Sequence, residues 1–77
     1  MAGWQQDGDA LVKDFELRDF TSALSFVNRV GELAEEADHH PDILIHGYKH
    51  VRLTLSTHSE GGVTEKDHAL AERIDAL

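Results

Sequence analysis

One proline, Pro41, stands in this chain, and it separates two kinds of apolar patterning. Before it, Phe20, Ala23, Val27, Val30, Ala34 and Ala37 recur at the i, i+3, i+4 interval of a helix face, and Phe26 and Leu33 widen the stripe. After it, Val51, Leu53 and Leu55 alternate with His50, Arg52, Thr54 and Ser56 at the period of a strand. The residue before a proline is pushed out of the α region, so a long helix opened by an Asp19 cap must stop near His39.

The remaining elements follow from the same two periods. Residues 4–6 and 11–17 read as short strands around Asp7-Gly8, a dipeptide that favours tight hairpins. Leu11, Phe15 and Leu17 share one strand face, with Val12, Asp14 and Glu16 on the other; Lys13 breaks strict alternation. Residues 43–45 form a short strand, His46-Gly47 a turn, and residues 48–57 a longer strand. Thr64 then caps a last helix whose inner face is Leu70, Ala71, Ile74 and Leu77. The order ββαββα predicts an α+β fold, an antiparallel four-stranded sheet with helices packed on one face. Residues 1–77 are one domain, without linker, low-complexity tract or internal repeat.

A single core of this size buries a modest share of its surface, and the chain has no cysteine to staple it, so a homo-oligomer is expected. The same lack removes thiolate metal ligands and cysteine nucleophiles, and suits a cytoplasmic location. No apolar run approaches the roughly 18 residues of a membrane span, and the N-terminus lacks a signal pattern. Fifteen acids against seven bases give a net charge of −8, a surface that repels phosphate backbones and argues against direct nucleic-acid binding.

The chemistry-bearing residues crowd the second half. Histidine can give and take a proton near neutral pH, its unperturbed pKa being about 6.5. His39 and His40 stand where the long helix ends, a position that also suits a plain polar cap. His58 ends the long strand and opens a glycine-containing loop. Thr64 and Asp67 have capping-box spacing, yet Asp67 also lies on the inward helix face, where a carboxylate can orient a histidine; the two roles are compatible. Glu35 falls four residues before His39, as a solvated ion pair or a supporting group. Tyr48 is either a pocket wall or a strand aromatic packing on its neighbours. His46, His50 and His68 read as surface residues.

The spacing of Glu35, His39-His40-Pro41, Tyr48, Thr57-His58 and Asp67 resembles the signature of the pterin-4a-carbinolamine dehydratases. The likeness extends from Trp4 to the C-terminus and takes in Phe20, Phe26, Gly61-Gly62 and the closing Ile74-Asp75. It implies a lyase that removes water from 4a-hydroxytetrahydropterin to yield quinonoid dihydropterin, recycling the cofactor of aromatic amino-acid hydroxylases. The implied catalytic residues are His39, His40 and His58. His39 and His58 would move the protons, His40 would mainly hold the pterin, and Asp67, Glu35 and Tyr48 would support or bind. No metal and no cofactor is implied, the pterin being the substrate. A homodimer or homotetramer is implied, with a hydroxylase as a further partner. Where many relatives carry an aromatic two residues after the proline, this chain has Ile43, and only three residues precede Trp4, where relatives often begin with an additional helix. The alternatives are a non-catalytic protein-binding module (a dimerisation cofactor or enzyme helper) and a small metal protein using the three histidines. For the latter, two adjacent ligands and no cysteine make a closed zinc site hard to build.

Overall fold

A computed structural model describes residues 3–77. Strand β1 (Gln5–Asp7) turns into β2 (Ala10–Glu16), helix α1 (Phe20–Ala37) follows, and β3 (Asp42–His46) and β4 (His50–Leu55) make a second hairpin. A 3-10 turn at His58–Glu60 then leads to α2 (Glu65–Asp75). The four strands form one antiparallel sheet in the order β1-β2-β4-β3, as the ββαββα reading expects.

Register decides which face is apolar. Leu11 lies opposite Leu55, Phe15 opposite Val51, Ile43 opposite Leu53 and Ile45 opposite Val51, and directly opposed residues share a face. That face meets Ala23 and Val30 of α1 and Leu70, Ala71 and Ile74 of α2 in one buried cluster that also holds Trp4. Full burial of a side chain such as Leu53, Leu55, Leu70 or Ile74 stabilises by roughly 1.5–3 kcal/mol. Lys13 also belongs to this face, opposite Leu53. Its stem lies along the apolar surface and its ammonium reaches Asp75 at 2.8 Å, over the Phe15 ring at 4.8 Å from the centroid.

Asp19 caps α1 as expected, its Oδ1 accepting the Ser22 N–H at 2.8 Å. The expected stripe overreaches at both ends: Phe20 is 49% exposed and Ala37 is exposed too. Eighteen helical residues span about 27 Å, whereas the seven of β2 span about 23 Å, so the helix tips overrun the sheet. Leu77 lies beyond the end of α2 and is likewise exposed.

The long strand is shorter than its alternation suggests, running over His50–Leu55 rather than residues 48–57. Gly47 and Tyr48 both take the left-handed conformation, with φ of 55° and 58°, which no ladder residue can adopt. Tyr48 therefore sits in the β3–β4 turn, 62% exposed. A tyrosine is strained there, and Asn relieves part of that strain. Tyr48→Asn is expected to stabilise the fold by about 0.5 kcal/mol and raise Tm by roughly 2–4 °C in a thermal melt. A lower Tm would contradict this account of the turn.

Candidate active site

The end of α1 aims two adjacent histidines in different directions. Asp38 takes the left-handed conformation (φ 51°, ψ 43°). Its N–H donates to the Glu35 carbonyl at 3.2 Å, and the His39 N–H donates to the Ala34 carbonyl at 3.0 Å. These paired bonds are a Schellman closure, with proline soon after to keep the chain from helix. Aspartate enters the left-handed region more cheaply than most residues. Past this closure the His39 side chain turns inward, 11% exposed, and that of His40 turns outward, 58% exposed.

His39 meets the first turn of α2. Its Nε2 lies 2.6 Å from Oδ1 of Asp67, a fully buried carboxylate. The other oxygen, Oδ2, accepts the Thr57 hydroxyl at 2.8 Å and the Thr64 N–H at 2.9 Å. Asp67 thus completes the capping box of α2 and holds His39 at the same time. Burial pushes the Asp67 carboxyl up, but hydrogen bonds from His39, the Thr64 N–H and the Thr57 hydroxyl outweigh it. Together they hold the group below its ordinary 3.8.

An ionised carboxylate only accepts, so the network assigns the Nε2 hydrogen of His39 to Asp67. Nδ1 makes no hydrogen bond among the described residues, and none of their buried side-chain nitrogen or oxygen atoms lacks a partner. That nitrogen is therefore open to solvent. Its lone pair, or its proton when the ring is charged, is not spent on any described residue.

Glu35 does not pair with His39, as its four-residue spacing suggests. The helix ends too early, and Glu35 hydrogen-bonds Nε2 of His40 instead. Both groups are exposed, so this pair contributes little to stability.

His58 does not end the strand; it opens the 3-10 turn, after β4 has stopped at Leu55. A bridge between Thr57 and Gly62 closes the loop, the Thr57 N–H donating to the Gly62 carbonyl at 2.9 Å. Gly61 supplies the positive φ of 75° that the turn requires. His58 is exposed, next in sequence to the buried Thr57.

His39 and His40 precede β3 and His58 follows β4, and Asp42 pairs with Thr54 in register, so the three lie toward the same end of the sheet. Two hollows flank this point. One, about 780 Å³, lies between α1 and β3 and is lined by Gly31, Glu35, His40, Pro41 and Ile43 among others. The second, about 340 Å³, is lined by Asp9, Asp42, Thr54, Ser56, His58 and Gly62 among others. Tyr48 is not brought to this end. It occupies the far turn of the β3–β4 hairpin, about 15 Å away along the five-residue β3, and is neither a wall of these hollows nor a residue of the strand.

His46 is exposed; His50 is half-buried, its ring stacked on His46 at 5.4 Å, and His68 is half-buried too, where surface positions were expected. Among the described residues no group of three or more His, Cys, Asp or Glu side chains is arranged to hold a metal ion. The role of the Thr57 hydroxyl is not among the expectations from the sequence. The signal was present: the inward alternation Val51, Leu53, Leu55 continues to Thr57 and puts a hydroxyl inside.

The family model described as pterin 4 alpha carbinolamine dehydratase matches residues 1–77. A Thermomicrobium roseum protein provisionally named as such a dehydratase is 55% identical over 75 residues, covering 97% of this chain and 80% of its own. A Sulfolobus acidocaldarius protein with the same provisional name is 45% identical, covering 97% and 81%. A crystal structure of a Brucella melitensis transcriptional coactivator/pterin dehydratase superposes with TM-score 0.92 at 38% identity, covering 99% of this chain and 82% of that one. A pterin dehydratase-like protein identified as a RuBisCO assembly factor in the alpha-carboxysome superposes with TM-score 0.80 at 28% identity, covering 96% and 87%.

Proposed function

The chain belongs to the pterin 4 alpha carbinolamine dehydratase family, and from that membership we propose that it dehydrates a 4a-hydroxytetrahydropterin by acid–base catalysis between histidines. The reaction places a proton on the departing 4a-hydroxyl and takes another from a ring nitrogen, and general acid–base catalysis of this kind contributes about 10²–10⁴-fold. The observation that carries the reading is the His39–Asp67 pair: Nε2 anchored at 2.6 Å on a buried carboxylate, with Nδ1 left open. A histidine held this way presents a lone pair at a set angle, which suits the base that takes the ring-nitrogen proton. His58, exposed on its own loop, suits the acid that serves the hydroxyl. His40, braced by Glu35 beside the larger hollow, suits ground-state contact with the pterin.

The two structural relatives name two kinds of protein, a dehydratase/coactivator and an assembly factor, so a non-catalytic binding module is the competing reading. One experiment separates them. The 4a-carbinolamine is generated in situ and its loss is followed with and without the purified chain. Acceleration that is unchanged after exhaustive chelation is expected, since the chemistry needs proton transfer alone. No acceleration would support the binding module, and acceleration lost with chelator and restored by zinc would overturn the histidine mechanism.

A further inference from the structure

Thr57 is 4% exposed, and its hydroxyl has two polar neighbours, Asp67 Oδ2 at 2.8 Å and the Thr64 hydroxyl at 2.8 Å. A hydroxyl has one hydrogen to give. An ionised Asp67 can only accept, so Thr57 spends its hydrogen there and the Thr64 hydroxyl must donate to Thr57. The Thr64 oxygen in turn accepts the Lys66 N–H at 3.3 Å. The direction of every bond is thereby determined, from the start of α2 through Thr64, Thr57 and Asp67 to Nε2 of His39.

We propose that Thr57, backed by Thr64, is a positioning residue. Through Asp67 it holds His39 in the Nε2–H tautomer and keeps the Nδ1 lone pair available to a bound molecule. This rests on the reading of His39 as a proton-transfer group. The physical reason lies in what Asp67 does without that hydrogen. Oδ2 then keeps one donor, the Thr64 N–H at 2.9 Å, and the carboxylate is free to turn away from His39. Nε2 loses its fixed acceptor, and exchange with water, one hydrogen leaving Nε2 as another arrives at Nδ1, populates the second neutral tautomer and occupies the nitrogen meant for the ligand. Bonds to a charged acceptor are among the stronger kind, so one lost donor is felt in how firmly the carboxylate is held.

The test compares Thr57→Val, Thr57→Ser and the parent as uniformly ¹⁵N-labelled full chains. Long-range ¹H–¹⁵N spectra of the imidazoles are recorded, with His39 assigned from a His39→Gln variant. The parent and Thr57→Ser are expected to show His39 as Nε2–H, and Thr57→Val a mixture of both tautomers. With the 4a-carbinolamine as substrate, kcat of Thr57→Val is expected to fall about 10-fold at nearly constant KM, and serine to restore it. A valine variant with parent-like His39 signals would overturn the proposal, as would a serine variant disturbed as much as the valine one. If Thr57→Val does not fold, Thr57→Cys carries the same test, because a thiol is a weak donor and the same mixing is expected. The tautomer measurement needs no turnover. A chain inert toward the carbinolamine but with the tautomers as stated would overturn the dehydratase reading alone.

Discussion

Alanine at His39 or at His58 is expected to lower kcat by about 10²-fold or more with little change in KM, whereas alanine at His40 raises KM and spares kcat. The split follows from where the side chains sit. His39 is packed inward on Asp67 with one nitrogen presented, and His58 stands on a loop closed by the Thr57–Gly62 bridge. On the proposed mechanism each moves a proton, a contribution felt in the transition state. His40 is exposed, braced by the exposed Glu35, and lines the larger hollow, where the proposed mechanism has it touch substrate in the ground state. The measurement is a full kinetic profile of the single variants in one buffer, after checking that each keeps the parent's fold. His46→Ala and His50→Ala serve as internal controls, since their stacked pair lies near the β3–β4 turn, at the opposite end of the sheet. If either control cost as much as His39→Ala, the site would have been placed at the wrong end of the sheet.

The second large effect concerns Asp67 and the fold itself. Asp67→Ala leaves the Thr57 hydroxyl, the Thr64 N–H and the His39 ring facing an empty, buried space. Each buried donor left without its acceptor typically costs about 1–3 kcal/mol, so three cost about 3 kcal/mol or more, and small domains hold only about 5–15 kcal/mol in total. Urea unfolding of Asp67→Ala should therefore show loss of at least about a fifth of the stability, whereas Asp67→Asn, which retains an acceptor oxygen and the volume, should lose less. The pH dependence has a definite sign. The folded Asp67 carboxyl lies below the ordinary 3.8, so its contribution is fully present above that pH. It fades as pH falls through the lower, folded value. The stability gap between the parent and Asp67→Asn should thus be constant from neutral pH down to about 5 and shrink below about 4. A gap that widened on acidification would show that Asp67 is not the ionised acceptor described above.

Much of this protein could be read along the chain because the relevant signals are local. The helical stripe before Pro41, the Asp19 cap, the strand alternation around Val51, Leu53 and Leu55, and the Thr64-to-Asp67 capping box each depend on residues within a turn or two of one another, and all appear in the structure. Local geometry also produced the misreadings. Lys13 looks like a break in a strand until Asp75, 62 residues away, is there to receive its ammonium at the edge of the core. Tyr48 fits a strand pattern until the left-handed turn excludes it from the ladder.

The site divides along the same line. That histidines and carboxylates would share one region was legible in their spacing; which carboxylate serves which histidine was not. Helical spacing pairs Glu35 with His39, but the Schellman closure at Asp38 rotates the chain and gives Glu35 to His40. His39 finds Asp67 across 28 residues, and Thr57 reaches the same carboxylate across 10. The sequence by itself determined the elements, their order and the residue types available for proton transfer. Only the packing of α2 against the ends of α1 and β4 decided the partners, because a buried carboxylate must satisfy both its oxygens with whichever donors the fold brings within reach.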